Sequence, residues 1–295
     1  MGTNLLFLPP IIKNKLVYYR QIRNILLVFI ATLPLLVQGQ INYGSNNGKF
    51  LTIRGTKIYY EEYGKGIPLL MLHGGFGDIS DFQKVIPKLS EKYRVIIPDA
   101  PGLGRSEYAD SILSYQLLAD YNSIFIDQLK LDSVYVVGWS DGANTAILLA
   151  KSRPDKVKKI IVSGANYRLN GFTREALVEC KKLTDTTWVK AELQGWIKHY
   201  QQLSSKNWTR YISEVGQMWF KDEYFPKTDL EKIKASTLVV YGDNDMYTLE
   251  HGIEIKNAIH DSQFCVIPDC SHEVFMEKPE LFVVLALTFL SEKVK

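Results

Sequence analysis

The chain has 295 residues and a formal net charge of +3, with 46% hydrophobic and 23% charged residues. Four of its basic residues and none of its acidic ones lie in the first 39 positions, so the remaining 256 residues carry a net charge of −1. That balance leaves no basic surface for nucleic acid, and we expect no nucleic-acid partner. The length of this part suits one domain with a sizeable core.

The first 39 residues have the order of features that marks a secretory signal. Basic residues between positions 13 and 23 precede an apolar run over residues 25–37, and Gly39 follows. This run of 13 residues is shorter than a membrane helix of about 20. We predict that residues 1–39 are a signal peptide, that the mature protein is exported to the periplasm or secreted, and that no stable membrane span remains after cleavage. An uncleaved N-terminal membrane anchor is the alternative.

From residue 50 onward, apolar runs typical of strands alternate with helical patterns. Residues 50–63 alternate in polarity around a turn at Gly55-Thr56, which predicts a hairpin. Later strands are predicted over residues 68–72, 93–98, 134–137, 159–163, 237–241 and 263–267, and helices over residues 80–89, 114–129, 143–150, 248–259 and 279–292. Continuous apolar strands separated by helices predict an α/β fold with a mostly parallel central sheet and helices on both faces.

The alternation breaks over residues 166–228. This insert has helical patterns and contains four of the five tryptophans: Trp188, Trp196, Trp208 and Trp219. We predict that it is a helical cap on the sheet, within one domain of residues 40–295, and that it makes the pocket beneath it mostly apolar. The alternative is a helical appendage whose aromatic residues form a core of their own.

The strand over residues 134–137 leads into Gly138-Trp139-Ser140-Asp141-Gly142, which fits the pattern G-x-S-x-G between a strand and a helix. In that context the pattern predicts a sharp turn, a nucleophile elbow, that lifts the hydroxyl of Ser140 off the sheet. Two backbone segments pass close together in such a turn, which explains the flanking glycines. A serine presented in this way predicts acyl-transfer chemistry.

A serine hydroxyl needs a base to remove its proton, and the base needs an acid to hold its tautomer. His272 follows the last predicted strand and Asp245 follows the strand before it, which gives the chain order expected for this topology. We favour Asp245 over Asp243, because the longer excursion brings Asp245 toward His272, whereas Asp243 is expected to bond to the turn backbone. The remaining histidines are assigned to a loop (His73) and to solvated helix faces (His199, His251 and His260).

A glycine-rich turn over residues 73–77 follows the strand over residues 68–72. Acyl transfer needs hydrogen-bond donors for the oxyanion, and we predict that the backbone amides of Gly75 and Asp141 supply them. The alternative for this turn is a tight connection between a strand and a helix. Substrate contacts are predicted for Phe76, Trp139 and Asp141.

Taken together, these motifs resemble those of the α/β-hydrolase-fold enzymes. The likeness runs from about residue 50 to the C-terminus and includes the turn at residues 73–75, the segment from Asp99 to Ser106, the elbow, Gly242 to Asp245, and His272 followed by Glu277-Lys278-Pro279-Glu280. It implies the triad Ser140, Asp245 and His272. It leaves the substrate open, since the fold hosts esterases, lactonases, peptidases, C–C hydrolases and perhydrolases. Ser271 stands where many relatives have glycine.

The elbow itself is similar to that of the valacyclovir-hydrolase-like (biphenyl-hydrolase-like) enzymes. In those enzymes the acid after the nucleophile is associated with α-amino ester substrates, which implies that Asp141 pairs with a substrate ammonium. The alternative is that an acid at a helix N-terminus complements the helix dipole, an effect of about 0.3–1 kcal/mol. Acids are common in the first turn of helices, which favours this simpler role.

We therefore expect a serine hydrolase that cleaves a small-molecule ester, amide or related acyl bond through an acyl-enzyme, with a carboxylic ester favoured. Cys180, Cys265 and Cys270 do not have the spacing of metal ligands, so we expect no metal and no cofactor. The alternatives are a non-catalytic ligand-binding protein on the same fold, and an acyltransferase or perhydrolase that uses the same serine. No triad member is missing from the sequence, which favours an enzyme.

Overall fold

The computed structural model describes residues 42–45, 47–204 and 207–292. The predicted signal peptide, residues 1–39, lies outside these residues and stays a prediction. Within the described ranges, no helix combines the length and the hydropathy that crossing a membrane would require.

Eight strands in the described part of the chain form one sheet: β1 (Lys49–Ile53), β2 (Thr56–Tyr63), β3 (Ile67–Leu72), β4 (Tyr93–Pro98), β5 (Val134–Trp139), β6 (Val157–Ser163), β7 (Ser236–Gly242) and β8 (Ser262–Ile267). Their order across the sheet is β1-β2-β4-β3-β5-β6-β7-β8. β2 pairs antiparallel with β1 and with β4, and all other neighbours are parallel. The predicted α/β fold with a mostly parallel sheet is confirmed.

The α-helices of the described residues are α1 (Ile86–Leu89), α2 (Tyr115–Gln128), α3 (Asp141–Ser152), α4 (Arg174–Leu183), α5 (Thr186–Glu192), α6 (Gln194–Leu203), α7 (Trp208–Trp219), α8 (Lys227–Leu230), α9 (Leu249–Ala258), α10 (Val274–Glu277) and α11 (Pro279–Ser291). α2 begins after Ser114, whose hydroxyl accepts a hydrogen bond from the Leu117 amide. Such a cap satisfies a backbone donor that the helix cannot satisfy itself. The segment over residues 166–228 contains α4 to α7.

The helix predicted over residues 80–89 is wrong in its extent. The structure has a 3₁₀ turn at Ile79–Phe82 and, after a break, the short helix α1. The side chain of Asp78 accepts a hydrogen bond from the Ser80 amide and caps the first of these turns. Pro87 has no amide hydrogen and fits only the first turn of a helix, so a new helix starts beside it.

Both faces of the sheet are buried, because successive strand residues point to opposite sides. Val136 of β5 belongs to the core that contains α2 and α3, whereas Val137 belongs to the core that contains α1 and α11. Parallel strands end at a common edge of the sheet. The segments that follow β5, β7 and β8, which carry Ser140, Asp245 and His272, therefore all start from one edge.

Candidate active site

Ser140 connects β5 to α3 in a strained backbone conformation. Its φ of +54° and ψ of −119° lie in a region that residues with a Cβ rarely adopt. Two glycines make room for this turn: a Cβ on Gly138 would lie 2.3 Å from the carbonyl oxygen of Gly142, and a Cβ on Gly142 would lie 2.0 Å from that of Leu72. The Ser140 amide donates to the carbonyl of Ser163 at 2.9 Å, which fixes the turn against the end of β6.

The side chains of His272 and Asp245 are in direct contact. Nδ1 of His272 and Oδ1 of Asp245 are 2.8 Å apart, and Oδ1 also accepts a hydrogen bond from the Tyr247 amide at 3.2 Å. A carboxylate can only accept, so Nδ1 carries the hydrogen and Nε2 keeps a lone pair, as a general base requires. Asp243 instead accepts a hydrogen bond from the Cys270 amide at 3.0 Å, within the turn.

The His272 loop is held by Trp139, which precedes Ser140, and lies against Gly164, which follows β6. Nε1 of Trp139 donates to the carbonyl of His272 at 2.8 Å, and the two rings lie 5.7 Å apart. Gly164 has a φ of +58°, and a Cβ there would lie 2.4 Å from Cε1 of His272. Gly164 has no motif of its own in the sequence and is not among the predicted site residues. Trp139 is 7% exposed, and its predicted substrate contact stays a prediction.

Nε2 of His272 is buried and has no hydrogen-bond partner among the described residues. The structure therefore brings Ser140 and His272 to one edge of the sheet without joining them by a hydrogen bond within the described ranges. Catalytic hydrogen bonds are often long without substrate and tighten in the complex. The predicted catalytic roles of Ser140, Asp245 and His272 are taken up as a proposal below.

The glycine-rich turn lies beside the serine. A Cβ on Gly74 would lie 3.1 Å from the Cβ of Ser140. The Phe76 amide donates to the hydroxyl of Tyr211 at 2.8 Å, whereas the amide of Gly75 has no acceptor among the described residues. Of these two neighbouring amides, the one at Gly75 is therefore left for a substrate oxygen, and its role in an oxyanion hole stays a prediction.

The side chain of Asp141 is enclosed by protein. Its Oδ1 accepts hydrogen bonds from the Tyr115 hydroxyl at 2.8 Å and from Nε1 of Trp219 at 2.9 Å, and Oδ2 lies 3.1 Å from the same nitrogen. Burial raises the pKa of Asp141 to about 6, although these hydrogen bonds act to lower it. The backbone amide of Asp141 begins α3 and has no partner within the helix. The sequence indicated the acid but not its partners in α2 and α7.

Phe76 lies against aromatic side chains of the helical insert. Its ring centroid is 4.8 Å from that of Trp196 and 5.7 Å from that of Trp219, and its carbonyl accepts a hydrogen bond from Nε1 of Trp196 at 2.8 Å. Two of the four tryptophans in the insert therefore contact the glycine-rich turn, and Trp219 also bonds to the elbow at Asp141. These contacts support the interpretation of the insert as a cap. A substrate contact by Phe76 stays a prediction.

The comparison with known proteins agrees with this architecture. Residues 69–285, which include the glycine-rich turn, the elbow, Asp245 and His272, match the alpha/beta hydrolase family. The chain belongs to that family. The resemblance to the α/β-hydrolase-fold enzymes, inferred from the motifs, is confirmed.

Two relatives illustrate the similarity in sequence. The chain is 26% identical over 268 residues to a 2-hydroxy-6-oxo-6-(2'-aminophenyl)hexa-2,4-dienoic acid hydrolase of Metapseudomonas resinovorans, covering 83% of this chain and 91% of that protein. It is 27% identical over 271 residues to a 2-hydroxy-6-oxononadienedioate/2-hydroxy-6-oxononatrienedioate hydrolase of Escherichia coli, covering 80% and 91%. This alpha/beta hydrolase is therefore similar to enzymes that are named as hydrolases of a dienoic acid and of dienedioates and trienedioates.

Two solved structures are similar to this chain in three dimensions. A serine hydrolase involved in carbazole degradation aligns with a TM-score of 0.69 and 27% identity, over 83% of this chain and 98% of that chain. A meta-cleavage product hydrolase from Pseudomonas fluorescens aligns with a TM-score of 0.68 at 24% identity, over 82% and 97%, and shows the fold.

The prediction made for His251 is wrong. His251, assigned to a solvated helix face, is 3% exposed, and burial lowers its pKa to about 4. The helical insert covers it, because Tyr167 stacks on its ring at 4.8 Å. His73 matches its assignment to the loop: Nδ1 lies 2.8 Å from the Gly74 carbonyl, and Nε2 accepts a hydrogen bond from the Ala100 amide at 2.9 Å. Both of its nitrogens are thus occupied.

Replacing Asp141 by asparagine is expected to change how stability depends on pH. The pKa of Asp141 is about 6 in the folded protein and 3.8 in an ordinary environment, so the native state keeps the proton of this carboxyl up to a higher pH than the unfolded chain. The wild type therefore loses stability as the pH rises from about 4 to about 6. The side-chain amide of asparagine does not titrate in this range, so Asp141→Asn does not lose this stability. The loss in the wild type is at most about 3 kcal/mol. The asparagine oxygen can still accept from Tyr115 and Trp219.

Urea unfolding of wild type and Asp141→Asn between about pH 4 and pH 7 measures this effect. The stability of the variant relative to wild type should increase as the pH rises. The exposed Asp132, changed to asparagine, is the matched control for the removal of one carboxyl elsewhere in the chain. A difference between wild type and Asp141→Asn that stays constant with pH would mean that the Asp141 carboxyl is not the group that titrates.

Proposed function

We propose that this alpha/beta hydrolase is a serine hydrolase that cleaves a small-molecule acyl bond through an acyl-enzyme. Ser140 is the nucleophile, His272 is the general base and then the general acid, and Asp245 orients His272. The observation that carries the proposal is the 2.8 Å contact between Nδ1 of His272 and Asp245, at the sheet edge where the strained serine turn begins. A nucleophile, a base and an orienting acid in this arrangement activate a serine hydroxyl.

The reaction proceeds in two halves. Oγ of Ser140 attacks the substrate carbonyl carbon while its proton passes to Nε2 of His272, and the amides of Gly75 and Asp141 stabilise the oxyanion. His272 then gives the proton to the leaving group, whose bond to the acyl carbon breaks. A water molecule, deprotonated by His272, attacks the acyl-enzyme, and the acid is released as the proton returns to Ser140.

The substrate class we favour is a carboxylic ester with a neutral or cationic acyl group. The two curated relatives are named for a dienoic acid and for dienedioates and trienedioates, which carry carboxylates. Here Asp141 lines a cavity beside the elbow, and none of the described residues that line this cavity is lysine or arginine. A substrate carboxylate would be repelled by Asp141 in that buried place. Hydrolysis of a C–C bond, favoured by the names of the relatives, is the second candidate.

A cationic acyl group would be the α-amino acyl group that the resemblance of the elbow implies. Oδ1 of Asp141 receives two hydrogen bonds and Oδ2 receives one, so Oδ2 has the capacity for a further donor. A substrate ammonium there would favour the ionised carboxylate and offset the cost of its burial. If Asp141 has only a structural role, its asparagine variant will lose the same factor on an α-amino ester and on the des-amino ester of equal length.

Labelling with a fluorophosphonate tests the proposal, because the probe reacts with activated serines and not with a ligand-binding protein. We expect one modified peptide, carrying the label on Ser140. Rates of hydrolysis are then measured on a panel of simple esters and on a dienoic acid of the kind for which a relative is named. These rates show whether the enzyme cleaves an ester bond or a C–C bond. Absence of label on Ser140 would reject the proposal, and faster cleavage of the dienoic acid than of every ester would favour the second candidate.

A further inference from the structure

A cavity of about 40 Å³ lies in the core beside the elbow. α2, α3 and α7 contribute to its wall, together with the ends of β3 and β4. Two of its lining residues flank the nucleophile: Asp141 follows Ser140 in the chain, and Gly74 faces the Cβ of Ser140. The cavity therefore lies next to Ser140, on the side where the predicted oxyanion donors lie.

The wall of this cavity is largely apolar. Its apolar side chains include Leu72, Leu103, Leu113, Leu118, Phe125 and Met218. Its polar groups are largely occupied by the protein: His73 is bonded through both nitrogens, Asp99 accepts hydrogen bonds from two backbone amides, and the Thr145 hydroxyl donates to a backbone carbonyl. A pocket of this kind takes an uncharged alkyl group in preference to a polar one.

The position of His272 indicates which part of the substrate enters. His272 gives its proton to the leaving group, so the leaving group departs on the side of Nε2. His272 does not line the cavity, whereas Gly74 and Asp141 do. The group in the cavity is therefore the one that stays bonded to Ser140 in the acyl-enzyme.

We propose that this cavity is the acyl subsite of the enzyme and that it admits a short alkyl chain of about three carbons beyond the carbonyl. The inference rests on the proposed function and names the substrate of that same site. One water-sized group needs about 10–15 Å³ by this measure, so the cavity holds about three heavy atoms. An α-amino substituent would remain at the rim beside Asp141, with the chain inside.

The p-nitrophenyl esters of acetate, butyrate and hexanoate test the size limit. Wild type should show its highest kcat/KM on butyrate. Leu118 of α2 lines the cavity, and Leu118→Ala should raise the ratio of hexanoate to butyrate about tenfold, the gain expected from burying two more methylenes. Leu118→Phe should act in the opposite direction and lower the ratio of butyrate to acetate by a similar factor.

Ile126 provides the matched control. It lies on α2 and is fully buried, but it does not line the cavity. Ile126→Ala should weaken the core without changing either ratio. Because the two Leu118 variants act in opposite directions, whichever of them folds, as judged by thermal unfolding, decides the outcome.

Two failures can be told apart. If Ser140 is labelled by the fluorophosphonate but the Leu118 variants give the wild-type ratios, the acyl chain lies elsewhere and this inference is wrong. If Ser140 is not labelled and no ester is cleaved, the proposed function itself is wrong.

Discussion

Ser140→Ala is expected to lower kcat by about 10⁴-fold or more on every substrate that the wild type hydrolyses. The substitution removes Oγ, the only atom that can form the acyl-enzyme, and leaves His272 without a hydroxyl to deprotonate. The fold should survive, because serine and alanine both carry a Cβ in the same strained turn at φ +54°. Steady-state kinetics, fluorophosphonate labelling and thermal unfolding measure the three effects separately.

Ser152→Ala is the matched control for this change. Ser152 ends the helix that Ser140 precedes, and its hydroxyl donates to the Leu149 carbonyl at 3.1 Å. Its loss should reduce stability slightly and leave kcat within a few-fold of wild type. Retention of more than about one tenth of the activity in Ser140→Ala would show that another group attacks the substrate, and the acyl-enzyme mechanism would have to be abandoned.

The regular elements of the fold could be predicted because each depends on a local pattern. The strand predicted over residues 93–98 is β4, and the hairpin around Gly55-Thr56 is β1 and β2. α2 begins one residue after the predicted boundary, where Ser114 caps it. The turn at Ser140 has a local cause as well, since Gly138 and Gly142 leave room for two crossing backbones.

Contacts between distant segments could not be predicted in the same way. Trp219 reaches Asp141 across 78 positions, and Tyr115 reaches it across 26, so no periodicity links them. The burial of His251 likewise depends on Tyr167, which lies 84 positions before it. The sequence named the residues for which we propose catalytic roles, whereas the residues that enclose them follow from how the insert packs on the sheet.

The enclosure of Asp141 changes the pKa of its carboxyl group. A helix N-terminus on the protein surface would favour the ionised form of Asp141, yet burial raises its pKa to about 6, although the hydrogen bonds from Tyr115 and Trp219 act to lower it. Desolvation thus outweighs the hydrogen bonds at this position. A carboxyl with that pKa next to the nucleophile would be ionised at neutral pH and partly protonated in mild acid.

Asp245→Asn is expected to reduce kcat by roughly 10³- to 10⁴-fold. Asp245 accepts from Nδ1 of His272 at 2.8 Å and so holds the tautomer in which Nε2 can take the proton of Ser140. An asparagine either turns its NH₂ toward Nδ1, which favours the wrong tautomer, or presents its oxygen without the charge that stabilises the imidazolium. The loss should appear in kcat and in the rate of fluorophosphonate labelling, with KM little changed.

Asp243→Asn distinguishes this role from a general effect of removing an acid near the site. Asp243 precedes Asp245 in the same turn and accepts from the Cys270 amide at 3.0 Å, a bond that an asparagine oxygen can keep. Its activity should stay within a few-fold of wild type. If Asp243→Asn instead caused the large loss and Asp245→Asn did not, the acid of the triad would be Asp243. The 2.8 Å contact would then orient His272 without being needed for turnover.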